Sequence, residues 1–195
     1  MIRLVDETDA ASIHGIYSPY VRETSISFEQ SPPSVEEIKQ RIRKKTKKYP
    51  WMVCTYDDTI VGYSYAGPIR KRAAYQWSVE SSVYVDPDYQ RHGVARGLYE
   101  TLFAVLELQG YYNVYAGTAL PNSASTGFHE SIGFEPIGVY ENVGYKNGEW
   151  HDVKWWHKSL GKLPVDPDPP RSVQDVREQD QWDDVITAGE PRIRL

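Results

Sequence analysis

The chain has a single cysteine, Cys54. That excludes an intrachain disulfide and a thiolate cluster for metal. His14, His151 and His157 lie at spacings that do not make a metal site either, so no metal is expected. Positive charge is scarce: 22 Lys and Arg against 27 Asp and Glu leave a formal net charge of −5. A surface for nucleic acid or for an anionic membrane would need basic patches, so neither is expected as a partner. Any anionic ligand must be held by local dipoles and a few arginines. No apolar run approaches the length of a membrane span, and the N-terminus has no signal-peptide pattern. A reducing cytoplasm is the expected location. No internal repeat is visible.

What is present suits one globular core. With 195 residues, 40% hydrophobic and 25% charged, one domain is the default. Its chemistry concentrates between Val79 and Gly97, V-E-S-S-V-Y-V-D-P-D-Y-Q-R-H-G-V-A-R-G. Val79, Ser81, Val83 and Val85 alternate with Glu80, Ser82 and Tyr84, so the two sets project from opposite faces of a strand. Asp86-Pro87 ends it, because proline donates no ladder hydrogen bond and biases its predecessor away from helix. From Val94, the apolar positions Leu98, Leu102, Val105 and Leu106 recur at helical spacing. Gly93 therefore stands at a helix N-terminus, where free amides and the positive end of the dipole favour an anion. Arg91 and Arg96 add charge. The stretch reads as a phosphate site beside a carboxylate.

In chain order, Ile2 to Val5 is a first strand. Asp6 to Asp9 caps a helix whose apolar face is Ile13, Ile16, Tyr17, Tyr20 and Val21. Arg22 to Gln30 is a loop. Ser34-Val35-Glu36-Glu37 starts a second helix with a capping box, and the helix ends in the basic run Lys44 to Lys48, expected to be solvated. Trp51 to Tyr56 and Ile60 to Ala66 form a hairpin across Asp57-Asp58. Gly67 to Gln76 connects to the 79–85 strand. The third helix ends at Gln109-Gly110. A strand over 113–119, a short helix over 123–131 and a last hairpin turning at Asn147-Gly148 complete the order β, α, α, β, β, β, α, β, α, β, β. That order predicts an α/β domain with one mixed central sheet. The Pro-rich and charged segment 164–195 is read as an extension outside the 1–163 domain. It is either disordered or draped on the surface, with Trp182, Val185 and Ile186 as its candidate anchors.

The motifs Y-P-W-M-V (49–53), Y-A-G-P (65–68), A-Y-x-W (74–77), E-S-S-V-Y-V (80–85) and Q-R-H-G-V-A (90–95) stand in register with L-P-N (120–122), H-E-S-I-G-F (129–134) and G-E-W-H-D-V (148–153). In this set, from residue 2 to about 164, the chain resembles the GNAT superfamily, and within it the phosphinothricin and methionine sulfoximine N-acetyltransferases. The resemblance implies the GNAT acyl-CoA N-acyltransferase fold, in which a central, mostly antiparallel sheet with splayed fourth and fifth strands is flanked by helices. It implies acetyl-CoA as co-substrate, a small amino-acid-like substrate and a homodimer.

Carried over by position, the resemblance makes Val83, Tyr84 and Val85 the strand segment pairing with the pantetheine arm. Arg91, His92, Gly93, Val94, Ala95 and Arg96 become the pyrophosphate loop, and Asn122 a further cofactor contact. Ala95 stands where this subfamily often has glycine. Glu80 matches the family's catalytic glutamate, and His129 a functional histidine that relays a proton or donates to the developing oxyanion or sulfur. Arg70, Arg72 and Tyr75 fall on the loop facing the amino acid, where guanidinium groups suit a carboxylate and a phosphinate or sulfoximine. Phe28, Tyr84 and Val153 match pocket positions, and Ser27 stands where the phosphinothricin enzymes typically show asparagine. Two alternatives stay open: ordinary amino acids or methionine sulfone as substrate, and a non-catalytic acyl-CoA-binding module.

Overall fold

The computed structural model describes residues 1–195. Its elements follow the expected order: β1 (Ile2–Leu4), α1 (Ala10–Glu23), α2 (Val35–Lys45), β2 (Trp51–Tyr56), β3 (Thr59–Pro68), β4 (Ser78–Val85), α3 (Val94–Gln109), β5 (Asn113–Ala119), α4 (Ser123–Ser131), β6 (Glu135–Lys146) and β7 (Glu149–Ser159). Two short helices, α5 (Val173–Val176) and α6 (Trp182–Thr187), lie beyond them.

Local chemistry accounts for most of these boundaries. The Ser34 hydroxyl accepts from the Glu37 amide while the Glu37 carboxylate accepts from the Ser34 amide, closing the box at the start of α2. Asp57 and Asp58 both take positive φ, as do Asn147 and Gly148, the geometry a two-residue hairpin turn requires. Gly110 ends α3 at φ 91, a left-handed C-cap.

The seven strands form one sheet in the order β1-β2-β3-β4-β5-β7-β6. Every neighbouring pair is antiparallel except β4 and β5. The sheet is buried on both faces in its middle, and alternation sorts the side chains. Trp51, Val53 and Tyr63 meet Ile13, Ile16, Ile38 and Ile42 of α1 and α2. Met52, Cys54, Val61, Ala66 and Val79 meet Leu98, Leu102, Val105 and Leu106 of α3 on the other side. Helices on both faces of one sheet make a three-layer domain. No helix is long and apolar enough to cross a membrane.

Residues 164–195 lie along the α3 layer. Val173 and Val176 are fully buried, and Trp182, Val185 and Ile186 pack on the α3-side core. Long-range hydrogen bonds hold the path: Trp77 Nε1 donates to the Asp168 carbonyl (2.8 Å), and the buried Gln109 amide donates to the carbonyls of Lys48 and Arg171 (both 2.8 Å).

Candidate active site

β4 and β5 pair only at Ser78↔Asn113, Val79↔Val114 and Glu80↔Tyr115. Both strands then continue, to Val85 and Ala119, with no ladder between them. The opening is a wedge of about 490 Å³ walled by Ser81–Val85 on one side and Ala116–Ala119 on the other. The main-chain edges facing this wedge carry N–H and C=O groups free to pair with an extended ligand. Val83, Tyr84 and Val85 lie on that edge.

The start of α3 stands at the wedge. Arg91, Gly93, Val94, Ala95 and Arg96 line it. Gly93 takes φ 83, a left-handed turn that aims the first free amides of the helix outward. The Arg96 guanidinium donates to the carbonyl and hydroxyl of Ser131 (3.1 and 3.0 Å), tying α3 to the end of α4. His92 is not on this wall; its ring Nδ1 lies 3.3 Å from the Arg194 carbonyl, a group that only accepts, so the ring donates. Asn122 caps α4, its side-chain oxygen accepting from the Ser125 amide (2.9 Å), and lines the wedge.

Glu80 is the last β4 residue paired with β5 and so marks the closed end of the wedge. Its neighbour Ser81 points to the α3 face, donating to the Tyr99 hydroxyl (3.3 Å). Glu80 therefore points to the α1/α2 face. Its cross-strand partner is Gly67, and Lys45 fills the space a side chain there would take: the ammonium is 2.7 Å from where a Gly67 Cβ would sit and 4.5 Å from the Tyr65 ring centroid. Burial raises the Glu80 carboxyl above the ordinary glutamate range, with the charges of Lys45 and Arg70 opposing it. Burial likewise lowers Lys45, opposed by Glu80. The basic run expected to be solvated thus contributes a half-buried cation beside Glu80.

His129 approaches from the other face. It is buried, and its ring stacks on Trp156 (centroids 5.6 Å, 11° between planes) with Phe134 edge-on at 5.1 Å. Nδ1 is 2.8 Å from the Ser125 carbonyl, which fixes the proton on Nδ1. Nε2 is buried and has no partner in the protein. Burial lowers the pKa, so the ring is neutral at pH 7 with its lone pair on Nε2. In this state Nε2 accepts a proton and cannot donate one. Trp156 Nε1 donates to Thr118 Oγ1 (3.0 Å), and Thr118 Oγ1 is 3.1 Å from Ser125 Oγ, so a short polar chain orders the helix turn that carries His129.

The remaining positions are distributed as follows. Ser27 is buried with its hydroxyl 2.7 Å from the Tyr17 hydroxyl, and Phe28 lies against His151 and over Gly144, where a Cβ would collide with the ring. Tyr84 stacks on Tyr63 and meets Tyr17 and Tyr20 edge-on, on the α1/α2 face. Val153 packs over Gly117 of β5. Arg70, Arg72 and Tyr75 lie exposed on the β3–β4 loop, of which Arg70 acts on Glu80 by its charge.

Several contributors had no sequence motif. Ile26 lines both the wedge and an adjoining hollow of about 310 Å³ between the 24–26 loop, the 119–122 turn and His151. Lys146, buried on β6, donates to the carbonyls of Val21 (2.7 Å) and Ser27 (2.5 Å), pinning that loop to the β6–β7 ribbon. Its only signal in the sequence was a lysine next to the Asn-Gly turn.

A sheet opened between its one parallel pair, with a helix N-terminus at the opening, defines the acyl-CoA N-acyltransferase class of fold. A family model described as an acetyltransferase (GNAT) domain matches residues 2–155, and the chain belongs to that family. It is 35% identical to the phosphinothricin N-acetyltransferase of Streptomyces viridochromogenes, over 90% of this chain and 95% of that protein. It is 29% identical to the L-methionine sulfoximine/L-methionine sulfone acetyltransferase of Salmonella typhimurium, over 82% of this chain and 94% of the relative. The structure of a GNAT superfamily phosphinothricin acetyltransferase from Sinorhizobium meliloti in complex with acetyl-CoA superposes with a TM-score of 0.82 at 29% identity, covering 86% of this chain and 92% of that one.

Proposed function

We propose that the protein transfers the acetyl group of acetyl-CoA to the α-amino group of a small amino-acid analogue such as phosphinothricin or methionine sulfoximine, by direct attack in a ternary complex. The observation that carries this reading is the position of Glu80 at the closed end of the wedge, facing away from the cofactor side. Acetyl-CoA enters with its pyrophosphate on the amides of 93–96 and its arm along Val83–Val85. The thioester then reaches the last paired residues of β4 and β5, and the amine arrives from the α1/α2 face.

An α-ammonium must lose a proton before it attacks. Glu80 takes that proton, directly or through water, and its raised pKa brings its basicity closer to neutral pH. The nitrogen forms its bond to the thioester carbonyl carbon, and the carbon–sulfur bond breaks as the tetrahedral intermediate collapses. The second nitrogen proton leaves to Nε2 of neutral His129, from which the departing thiolate recovers it. Arg70 and Arg72 are the candidate partners of the substrate's anionic groups. The homodimer belongs to the same reading; in its favour the outer strand β6 exposes Ile137, Val139, Tyr140, Val143 and Tyr145.

Comparing kcat/KM across phosphinothricin, methionine sulfoximine, methionine sulfone and natural amino acids tests the substrate assignment. Phosphinothricin and methionine sulfoximine should lead by at least about tenfold, the discrimination a few polar contacts to the side-chain group supply. A lead by methionine sulfone or a natural amino acid would move the assignment to the alternative substrates.

Lys45→Met tests the electrostatics at Glu80. Lys45 and Arg70 both hold the Glu80 pKa down against burial, so removing one raises it further. The acid limb of the kcat pH profile should move to higher pH; an unmoved or lowered limb would detach Lys45 from the base.

A further inference from the structure

Residues 189–194 lie behind the 91–93 loop. Gly93, Gly97 and Thr101 fall on one face of α3, four residues apart, and the tail docks there. The Gly189 amide donates to Thr101 Oγ1 (3.1 Å), and Gly189 and Gly97 approach so closely that a Cβ on either would collide with the backbone of the other. The Arg192 carbonyl lies where a Gly93 Cβ would be, and Arg192 Nε donates to both carboxylate oxygens of Glu100 (2.8 and 3.1 Å). Glu190 accepts from the Ile2 amide (2.6 Å), which anchors the tail to β1. The Arg194 amide then donates to the His92 carbonyl (2.9 Å), and the His92 ring donates back to the Arg194 carbonyl (3.3 Å).

This clamp falls on a backbone that needs one. Arg91 takes φ 66 and Gly93 φ 83, and a left-handed residue with a side chain persists only where its surroundings hold it. The His92 clamps come from residue 194; on the other side of the loop, the Gln90 side chain donates to the Tyr20 hydroxyl (3.0 Å). None of residues 189–194 lines the wedge, and all of them lie beyond the end of the matched family domain at residue 155.

We infer that residues 189–194 are a positioning element of the cofactor site, holding loop 91–93 in the conformation that receives the pyrophosphate while making no contact with acetyl-CoA. The inference rests on the assignment of loop 91–96 to the cofactor. Its physical content is preorganisation: a loop already held needs no ordering when the anion arrives, so affinity depends on the clamp.

Two variants test it by calorimetric Kd for acetyl-CoA and for coenzyme A, beside the amine KM and Tm. In full-length Gly189→Ala, φ at this position is −90, open to alanine, so the substitution acts through the close contact alone. The second variant ends at Ala188. Both should raise the Kd values about tenfold, the loss expected when a preordered loop must be ordered on binding, with the amine KM at saturating acetyl-CoA unchanged. A folded variant with unchanged Kd overturns the inference even if Tm falls, because the tail then only adds stability. Tighter binding overturns it too, because the tail would then obstruct the site.

If neither variant folds, hydrogen exchange on the wild-type protein decides. Coenzyme A should slow exchange of the Gly189 and Arg194 amides together with those of 92–97, and unaffected tail amides would overturn the inference. Arg91→Ala separates the two levels. If it leaves Kd unchanged, the loop assignment itself fails; if it weakens binding while Gly189→Ala does not, only the role of the tail fails.

Discussion

Replacing Glu80 by glutamine is expected to lower kcat at pH 7 by about 100-fold or more, the range that general-base catalysis supplies. The change is nearly isosteric, and the neighbouring ladder positions Gly67 and Tyr115 pair through backbone groups that glutamine keeps. The proposed cofactor path runs along Val83–Val85, and Glu80 does not line the wedge, so the KM for acetyl-CoA should not move. The pH profile adds a check with a definite sign. A base raised above the ordinary glutamate range gives a kcat that climbs with pH through that raised pKa, and the variant should lose this limb. Equal activity at pH 7 would remove Glu80 as the base; a raised KM for acetyl-CoA instead would place it on the cofactor.

Trp156→Ala should cost about 3–5 kcal/mol of stability, measured as a fall in the denaturation midpoint, because it empties one of the largest fully buried positions. The same side chain is the floor under His129 and the donor to Thr118, so the loss couples core to site. Trp156→Phe separates the two. It keeps an aromatic ring under the imidazole and removes one hydrogen bond, at a cost of about 1 kcal/mol for that bond. The alanine variant should therefore also lose activity among the molecules that remain folded, and the phenylalanine variant should keep most of it. If the phenylalanine variant is as unstable as the alanine one, packing is not what Trp156 contributes.

In the proposed mechanism Glu80 and His129 serve the reaction from opposite faces of one sheet. Their protonation is governed by the same cause with opposite sign: burial raises an acid's pKa and lowers a base's. The carboxylate gains basicity, while the imidazole stays neutral with one nitrogen committed to Ser125 and the other free. The pair suits a reaction in which the nucleophile sheds two protons and the leaving group takes one back.

The order of elements was legible because it is written in local chemistry. The capping box at Ser34, the left-handed Gly93 and Gly110, and the turns at Asp57-Asp58 and Asn147-Gly148 each need only a few neighbouring residues. The parallel pairing of β4 with β5 and its end after Glu80 were not legible from the residues alone, because register between strands 35 residues apart leaves no local mark. The same holds for Lys45, which periodicity assigns to a solvated helix end and which tertiary packing carries over Gly67 to Glu80. Lys146 follows the pattern, its ammonium buried against carbonyls more than 100 residues earlier in the chain. The tail carried weak signals, Trp182, Val185 and Ile186 among charged residues, and its docking depends on Gly93, which a sequence reading assigns to the phosphate alone, and on Gly97, to which it assigns no role.

The most direct measurement is simultaneous quantification of free thiol and N-acetylated product when the wild-type protein is given acetyl-CoA with phosphinothricin or methionine sulfoximine. The account predicts amine-dependent thiol release matched mole for mole by acetyl on the α-nitrogen, with no acetyl left on the protein. Tight binding of acetyl-CoA without amine-dependent release, for any amine in the panel, would contradict it.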